Sequence, residues 1–433
     1  MARLGDLIEQ IRGISYKPED LCDSLNEDGI PLLRANNIQD GKLNFEDIIY
    51  IDKKKIKSNQ HLKSGDILVC TSSGSKELVG KAAFVENDLS MTFGAFCKVI
   101  RSKICYPKYI GHFFNSPYYR KKISASSAGA NINNIRNAHI DELDIRLPST
   151  DEQKQISTML DKVSDLISLR KQQLAKLDAL INARFIELFG GVENEDTLFN
   201  LCTFIDYRGK TPEKTETGLP FITAKNVKMH HISFDTQEFI SKETYDKVMT
   251  RGFPRIGDVV FTTEAPLGNV CRIPYIETEF YIGQRIITMQ TERLEPAYLE
   301  YALSSDEFKR KISEKSSGST VTGIRSKHLE QLTIPVPPMA LQEKFAAFVN
   351  QIDNSKLIVQ QSLDKLEVLK KALMQKYFGS RGEMFNGWSI FAPLTSPTAS
   401  SPHSHSLAIY GERGGKCRQR RQRGKSGQLS PSP

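Results

Sequence analysis

Asp141, Glu152 and Lys154 are residue types with which a nuclease could hold a divalent cation beside a scissile phosphate. Two of them, Glu152 and Lys154, lie only two positions apart at the start of a predicted helix. The chain repeats itself 189 residues later, and there the same stretch reads Leu-Gln-Glu from Leu341, without this pattern. We therefore interpret these residues as the solvated start of a helix and not as a hydrolytic centre.

Residues 115–118 read Asn-Ser-Pro-Tyr, which is similar to the Asn-Pro-Pro-Tyr that adenine-N6 methyltransferases use to hold the amino group of a flipped base. The equivalent residues 304–307 are Ser-Ser-Asp-Glu, with neither proline nor tyrosine. No Gly-x-Gly cofactor loop follows a predicted strand upstream. A turn that starts a helix over 117–123 is the better explanation.

Histidines, cysteines and phosphate-binding loops add no further chemistry. His139 and His328 occupy equivalent positions before an apolar strand with no second ligand nearby, which favours a structural role. The seven cysteines include no Cys-x-x-Cys pair, so we expect reduced thiols rather than disulfides or a zinc site. The motif Gly-x-x-x-x-Gly-Lys-Ser/Thr does not occur. We predict no catalytic, metal-binding or cofactor-binding residue in this chain.

Polar and basic loop residues are the remaining candidates for a ligand, because nucleic acid is bound by side chains that reach base edges or phosphates. The candidates are Ser72, Ser73, Lys76, Lys81, Asn131, Asn134 and Arg136 in the first half, and Arg208, Lys210, Lys225, Asn226, Lys228 and Arg325 in the second. A residue that reads sequence should differ between the halves, whereas Arg136 and Arg325 recur and fit a framework or phosphate role. For each residue, a solvated loop position is the alternative explanation.

These loops belong to a sequence that contains the same module twice. Residues 29–38 (GIPLLRANNI) reappear as 218–227 (GLPFITAKNV), and residues 128–136 reappear as 317–325, both at an offset of 189 residues. In between, the offset drifts to 192, where Gly65-Asp66 matches Gly257-Asp258. Fixed ends with a shifted middle indicate loops of unequal length on one shared scaffold.

Each module begins with a part that reads as short strands and turns. Runs such as 67–71, 82–85, 259–262 and 285–289 are apolar or β-branched and are bounded by Gly, Asp, Asn and Pro. A helix is predicted after Pro107 and another after Pro296, with Tyr109 and Tyr298 in matching places. The fold class is therefore α+β, with the repeated domains at 1–149 and 191–338.

A long helix ends each module, over 150–190 and over 339–380. Its apolar residues alternate at spacings of four and three, which is the pattern of a coiled-coil seam. The seam consists of Ile156, Leu160, Val163, Ile167, Leu174, Leu177, Ile181 and Leu188, and of Phe345, Val349, Ile352, Val359, Leu363, Leu366 and Leu373. Thr150 with Gln153 forms a predicted capping box at the first helix. We expect the two helices to pair as an antiparallel coiled coil.

Net charge is a weak guide to the partner of this protein. The total of +8 permits a polyanion such as DNA, but residues 386–433 contribute seven Lys and Arg against one Glu, which leaves residues 1–385 at +2. Residues 381–433 are rich in Ser, Pro and Gly, which predicts a disordered basic tail, and a shifted reading frame explains them equally well.

Because no run of eighteen apolar residues and no signal-peptide core occurs, we expect a cytoplasmic protein without a membrane span.

Two similar domains, each followed by a helix with the same seam, place two related surfaces at a fixed separation. Duplex DNA is a regular target with sites at constant spacing. Residues 218–227, 257–261 (GDVVF), 316–320 (SSGST) and 332–337 (LTIPVP) with Gln342, together with their first-half counterparts, resemble the specificity subunits of type I restriction–modification systems. The resemblance extends over about residues 1–380.

This resemblance implies a subunit that reads double-stranded DNA but does not catalyse. In that family each domain reads one half of a bipartite site, and the helices act as a spacer and as the docking platform for two methyltransferase subunits. S-adenosylmethionine is expected in those partners and not in this chain, and restriction subunits join some complexes. One alternative is a self-contained methyltransferase or nuclease, but the sequence lacks a cofactor loop and a duplicated acidic or aromatic site. The other is a coiled-coil scaffold without DNA, which leaves the variable loops unexplained.

Overall fold

The computed structural model describes residues 1–23, 28–75, 77–126, 133–207, 209, 212–316 and 322–379. The chain divides into two units, Met1–Gly387 and Trp388–Pro433, and the described residues belong to the first. The predicted tail at 381–433 therefore lies outside the described residues, as do the candidates Lys76, Asn131, Arg208 and Lys210. No helix in the described ranges is long and apolar enough to cross a membrane.

Within its described residues, the first domain with its long helix contains fourteen short strands and five α-helices. The strands are β1 Ala2–Arg3, β2 Ile8–Arg12, β3 Leu21–Cys22, β4 Gly29–Leu33, β5 Ile38–Gln39, β6 Lys42–Leu43, β7 Ile49–Asp52, β8 Ile67–Cys70, β9 Ser72–Ser73, β10 Ala82–Phe84, β11 Thr92–Phe93, β12 Cys97–Ser102, β13 Asn133–Asn134 and β14 Asp144–Ile145. The helices are α1 Leu4–Leu7, α2 Pro107–Phe114, α3 Pro117–Ser126, α4 Asn137–Asp141 and α5 Thr150–Phe189. Short 3-10 turns occupy Pro18–Asp20, Ala35–Asn37, Lys53–Lys55 and Ser58–Gln60.

The second domain repeats this order with fewer strands. Its strands are β15 Glu195–Thr197, β16 Thr203–Asp206, β17 Leu219–Ile222, β18 Val227–Lys228, β19 His231–Ile232, β20 Phe239–Ile240, β21 Val259–Thr262, β22 Val270–Arg272, β23 Tyr281–Ile282, β24 Ile286–Gln290 and β25 Thr333–Pro335. Its helices are α6 Leu198–Leu201, α7 Lys242–Val248, α8 Pro296–Ser304, α9 Asp306–Lys315, α10 Ser326–Glu330 and α11 Met339–Phe378.

The main sheet has the same strand order in both domains. The antiparallel sheet β10-β8-β12-β2 of the first domain corresponds to β22-β21-β24-β16 of the second. A second sheet contains one parallel pair in each domain, β4 with β11 and β17 with β23. The buried central strands Ile67–Cys70 and Val259–Thr262 read as continuous apolar runs because both of their faces are covered. The predicted α+β class is confirmed.

One buried glutamine fastens each domain to the long helix that follows it. Gln153 accepts a hydrogen bond from the amide of Tyr106 at 2.9 Å and donates to the carbonyl of Pro148 at 2.9 Å. Gln342 makes the equivalent bonds to Glu295 and Pro337. The predicted cap at Thr150 is wrong, because Ser149 caps the helix by accepting from the amide of Glu152, while Gln153 points into the domain. An unbonded buried amide would be costly, so this bond fixes where the helix leaves the domain.

Tyr109 and Tyr298 complete the fastening from the first helix of each domain. The Tyr109 hydroxyl donates to the carbonyl of Arg146 at 2.8 Å, and the Tyr298 hydroxyl donates to the carbonyl of Pro335 at 2.6 Å. Both rings are fully buried, and burial raises the pKa of each phenol because it penalises the phenolate. The two tyrosines therefore tie helices α2 and α8 to the segment that leads into the long helix.

The long helices α5 and α11 pack on each other in opposite directions. Lys171 on α5 pairs with Glu367 on α11 at 3.2 Å, and farther along α5 Asp178 pairs with Lys356 at 2.6 Å. Because the partner numbers fall along α11 as they rise along α5, the two helices are antiparallel. Forty residues at about 1.5 Å each give each helix a length of about 60 Å.

The predicted seam lies along this contact. Every one of its residues is buried or half-buried; the half-buried ones are Leu174, Leu177, Leu188 and Leu366, and the buried ones are Ile156, Leu160, Val163, Ile167, Ile181, Phe345, Val349, Ile352, Val359, Leu363 and Leu373. The start of α5 shares a hydrophobic core with the end of α11 and the first domain. The end of α5 shares another with the start of α11 and the second domain. Supercoiling of the pair stays a prediction.

The two domains meet these helices through different side chains at equivalent positions. In the second domain the buried Glu300 carboxylate bonds to His230 at 2.8 Å and to Arg272 at 2.6 Å, and Arg272 also reaches Asp353 on α11 at 3.0 Å. The first domain places Gly111 at the position of Glu300. A Cβ there would lie 2.8 Å from the Phe84 ring, which occupies the place of Arg272. The first domain makes its ionic contact elsewhere, between Asp161 on α5 and two side chains of α2, His112 at 2.8 Å and Lys108 at 3.3 Å.

Candidate nucleic-acid interface

A cleft of about 1050 Å³ opens in the first domain, where β8 ends and β12 begins. The short ribbon of β9 and β13 forms one wall, with Ser72 opposite Asn134. Four of the sequence candidates come together here: Ser72, Ser73, Asn134 and Arg136. Asn134 and Arg136 are exposed, and the two serines are half-buried. The cleft presents hydroxyl, amide and guanidinium groups, which are the groups that contact bases and phosphates.

Cations from separate strands line the same cleft, and sequence reasoning missed three of them. Arg12 ends β2, Arg34 follows β4 and Lys98 lies on β12, and together with Arg136 they are the charged side chains of the described lining. Arg34 is held by the Asp47 carboxylate at 2.8 Å, and burial lowers the pKa of Lys98. Because no acidic side chain is among the described lining residues, the cleft is suited to an anion.

An exposed aromatic residue, Phe96, also lines this cleft. Its side chain is 69% exposed although it precedes a fully buried residue, Cys97. The Phe96 carbonyl accepts hydrogen bonds from the amides of Thr71 at 2.8 Å and Ser72 at 3.1 Å, so its backbone is fixed while its ring faces solvent. The Phe96 ring therefore places an apolar surface in a cleft whose charged side chains are all basic.

The second domain has the same frame with a different lining. The amide of Thr263 donates to the carbonyl of Arg285 at 2.9 Å, as Thr71 does to Phe96. The amide of Ile324 then donates to the carbonyl of Thr263 at 3.0 Å, as Ile135 does to Thr71 at 2.8 Å. On this frame Arg285 replaces Phe96. Glu264, which replaces Ser72, pairs with Arg285 at 2.9 Å.

The remaining candidates of the described residues are three exposed residues, the half-buried Lys81 and the buried Asn226. Lys225, Lys228 and Arg325 are exposed in the second domain, and Lys225 occupies the position of Asn36, which lines the first cleft. Lys81 is half-buried and is not among the lining residues of the first cleft. These placements leave the roles of the four residues as predictions.

Asn226 is wrong as a DNA-reading candidate. It is only 5% exposed. Its side-chain oxygen accepts from the amide of Thr223 at 2.9 Å, and its amide nitrogen donates to the carbonyls of Ser233 at 3.0 Å and Thr236 at 2.7 Å. Asn37 makes the equivalent bonds in the first domain. Both asparagines fold a loop, and neither has a free polar group for a ligand.

The residues that imitate enzyme motifs are engaged in structural contacts. Asn115 ends α2 and donates to the carbonyl of Gly111 at 3.1 Å. Asp141 accepts from Gln10 at 2.8 Å, and Glu152 pairs with Arg146 at 2.6 Å. Within the described ranges, no three His, Cys, Asp or Glu side chains are grouped as metal ligands.

Comparison with known proteins defines the class of this chain. A family model described as the type I restriction modification DNA specificity domain matches residues 1–179 and again residues 198–368. The chain therefore belongs to this family and carries its domain twice. The identification from sequence is confirmed, and with it the assignment of the chain as a DNA-specificity component rather than an enzyme.

Individual relatives show the same similarity. The type I restriction enzyme EcoKI specificity subunit of Escherichia coli (strain K12) is 29% identical over 414 residues, which is 88% of each chain. The StySPI specificity subunit of Salmonella potsdam is 42% identical over 172 residues, 40% of this chain and 37% of that one. The crystal structure of a type I S subunit from M. genitalium matches with a TM-score of 0.54 at 16% identity, covering 88% of this chain and 96% of that chain, which supports the fold.

Proposed function

We propose that this chain reads a bipartite sequence in double-stranded DNA, one half-site with each domain, while the antiparallel helices keep the half-sites a fixed distance apart. The observation that carries this proposal is the pair of equivalent frames with unlike linings. Thr71 and Thr263 hold the same backbone geometry, but Ser72 and Phe96 in one domain stand where Glu264 and Arg285 stand in the other. A shared frame with different side chains is what two related readers of different sequences require.

The proposal extends to protein partners. Two methyltransferase subunits dock on the helices, S-adenosylmethionine is bound in those subunits, and restriction subunits join where the system has them. Support comes from apolar side chains that lie outside the seam and are exposed in this chain: Leu166, Leu169 and Leu180 on α5, and Ile358 and Val368 on α11. Exposed apolar positions at helical spacing suit additional helices from a partner.

Domain exchange tests the proposal. The chain is expressed in cells with its methyltransferase subunit, and methylated adenines are mapped across the genome. We expect a bipartite motif with a spacer of constant length. Replacing residues 1–149 with those of a relative should change one half-site and leave the other half-site and the spacer intact.

The matched control replaces residues 191–338 and should change only the other half-site. A change of both half-sites after either exchange would refute independent reading by the two domains. A wild-type protein that directs methylation to no bipartite motif would refute the function itself.

A further inference from the structure

One backbone position is shared by the two domains and carries a different side chain in each. Phe96 and Arg285 are both residues whose carbonyl accepts two hydrogen bonds from a threonine. Thr71 donates to Phe96 from its amide at 2.8 Å and from its hydroxyl at 3.2 Å. Thr263 donates to Arg285 at 2.9 Å and 3.2 Å in the same way. Because the backbone is held alike, the two side chains start from equivalent points.

The guanidinium of Arg285 is oriented by a carboxylate. Its Nε lies 2.9 Å from Oε1 of Glu264, while the side chains of Arg285 and Glu264 remain 53% and 42% exposed. Glu264 is itself fixed by a β-bridge to Gly323. A carboxylate that engages Nε leaves the two terminal nitrogens of the fork pointing away from it, and a pair of parallel donors matches O6 and N7 of guanine.

The side chain at this position in the first domain has the opposite chemistry. Phe96 offers no donor and no acceptor, and Ser72 stands where Glu264 holds Arg285. Arg12, Lys98 and Arg136 line the same cleft as Phe96, so phosphates can be bound within it. An apolar side chain in the major groove recognises the methyl group of thymine.

We propose that Phe96 and Arg285 are base-reading residues at one shared position. Arg285, positioned by Glu264, reads a guanine in the half-site of the second domain, and Phe96 contacts a thymine methyl group in the half-site of the first. This inference rests on the proposed function, because it assigns bases within the two half-sites.

Methylation mapping with point variants tests the assignment. With Arg285→Ala, we expect one position of one half-site to lose its guanine requirement, with discrimination falling about 5- to 150-fold there. Every other base and the spacer should be unchanged. Arg285→Lys keeps the charge without the fork, so it should relax the same position partially. Glu264→Gln leaves Arg285 in place and should weaken the preference at that position alone, which a general loss of stability would not do.

Two further variants complete the design. Arg255→Ala removes an exposed arginine at the other end of β21 and should leave the motif unchanged. The pair Ser72→Glu and Phe96→Arg builds the second domain's side chains into the first, and it should replace a thymine by a guanine in the first half-site.

The results distinguish a failure of this base assignment from a failure of the proposed function. A wild-type protein without any bipartite motif overturns both. A bipartite motif in which Arg285→Ala keeps every base, or loses a base from the half-site of the first domain, overturns the inference alone.

Discussion

Buried asparagines at equivalent positions close one loop in each domain. Asn226 bonds to three backbone groups and to the hydroxyl of Thr223 at 2.8 Å, so its replacement by alanine leaves several buried groups without partners. We expect Asn226→Ala to lower the free energy of unfolding by about 1–3 kcal/mol while the methylated sequence stays the same. Chemical denaturation and methylation mapping measure the two effects.

Lys225→Ala is the matched control, because Lys225 is the exposed neighbour of Asn226 and its loss should leave stability unchanged. A variant Asn226→Ala that keeps its stability but recognises a different sequence would contradict the structural role.

The asparagines also show which site residues could be predicted from sequence. Asn37 and Asn226 recur at the same offset, and a side chain common to both copies is expected to serve the shared frame. That signal was present and would have excluded Asn226 as a reader. Phe96 gives a weaker signal, because a single exposed aromatic residue before a buried cysteine follows no period, although it corresponds to Arg285 at the 189-residue offset.

At the scale of elements, the attachment of the second domain depends on a buried carboxylate. Glu300 on α8 bonds to Arg272 on β22, and Arg272 continues to Asp353 on α11. Removing one member of a buried charged group leaves the others uncompensated. We expect Glu300→Gln to lower the free energy of unfolding by about 3 kcal/mol, measured by denaturant titration.

Glu314→Gln, on the exposed face of α9, should leave the unfolding midpoint unchanged. Equal midpoints for the two variants would mean that the carboxylate of Glu300 contributes nothing to this junction.

Elements with a regular spacing were predictable, and those that depend on distant contacts were not. The seam of α5 and α11 follows from the four-three alternation of its apolar residues, and the helices occupy the predicted stretches. The lining of the first cleft does not follow from any local pattern. Arg12 and Lys98 lie on two strands and Arg34 follows a third, and these segments meet only after both sheets form.

At the scale of the whole molecule, we expect the antiparallel helices to set the distance between the two domains. Inserting seven residues between Lys171 and Asp178, with seven more between Lys356 and Glu367, lengthens both helices and keeps their facing residues aligned. Seven residues add about 10 Å, or roughly three base pairs of duplex. We expect a longer spacer in the methylated motif with both half-sites intact.

An insertion into α5 alone serves as the control, because it puts the seam of α5 out of line with α11. Cells with that variant should lose methylation of the motif instead of methylating a motif with a new spacer. If the doubly extended protein methylates sites with the original spacer, the helices do not set the distance.

The opposite directions of α5 and α11 also bear on how the chain acquires its structure during synthesis. Leu373, Met374 and Phe378 from the end of α11 belong to the same hydrophobic core as Leu4 and Tyr109. The core of the first domain therefore stays incomplete until residue 378 has left the ribosome. The second domain does not wait in this way, because the residues of α5 that belong to its core are synthesised before it. The nascent first domain should depend on chaperones for longer than the second, and a stop codon near residue 360 should damage the first domain more than the second.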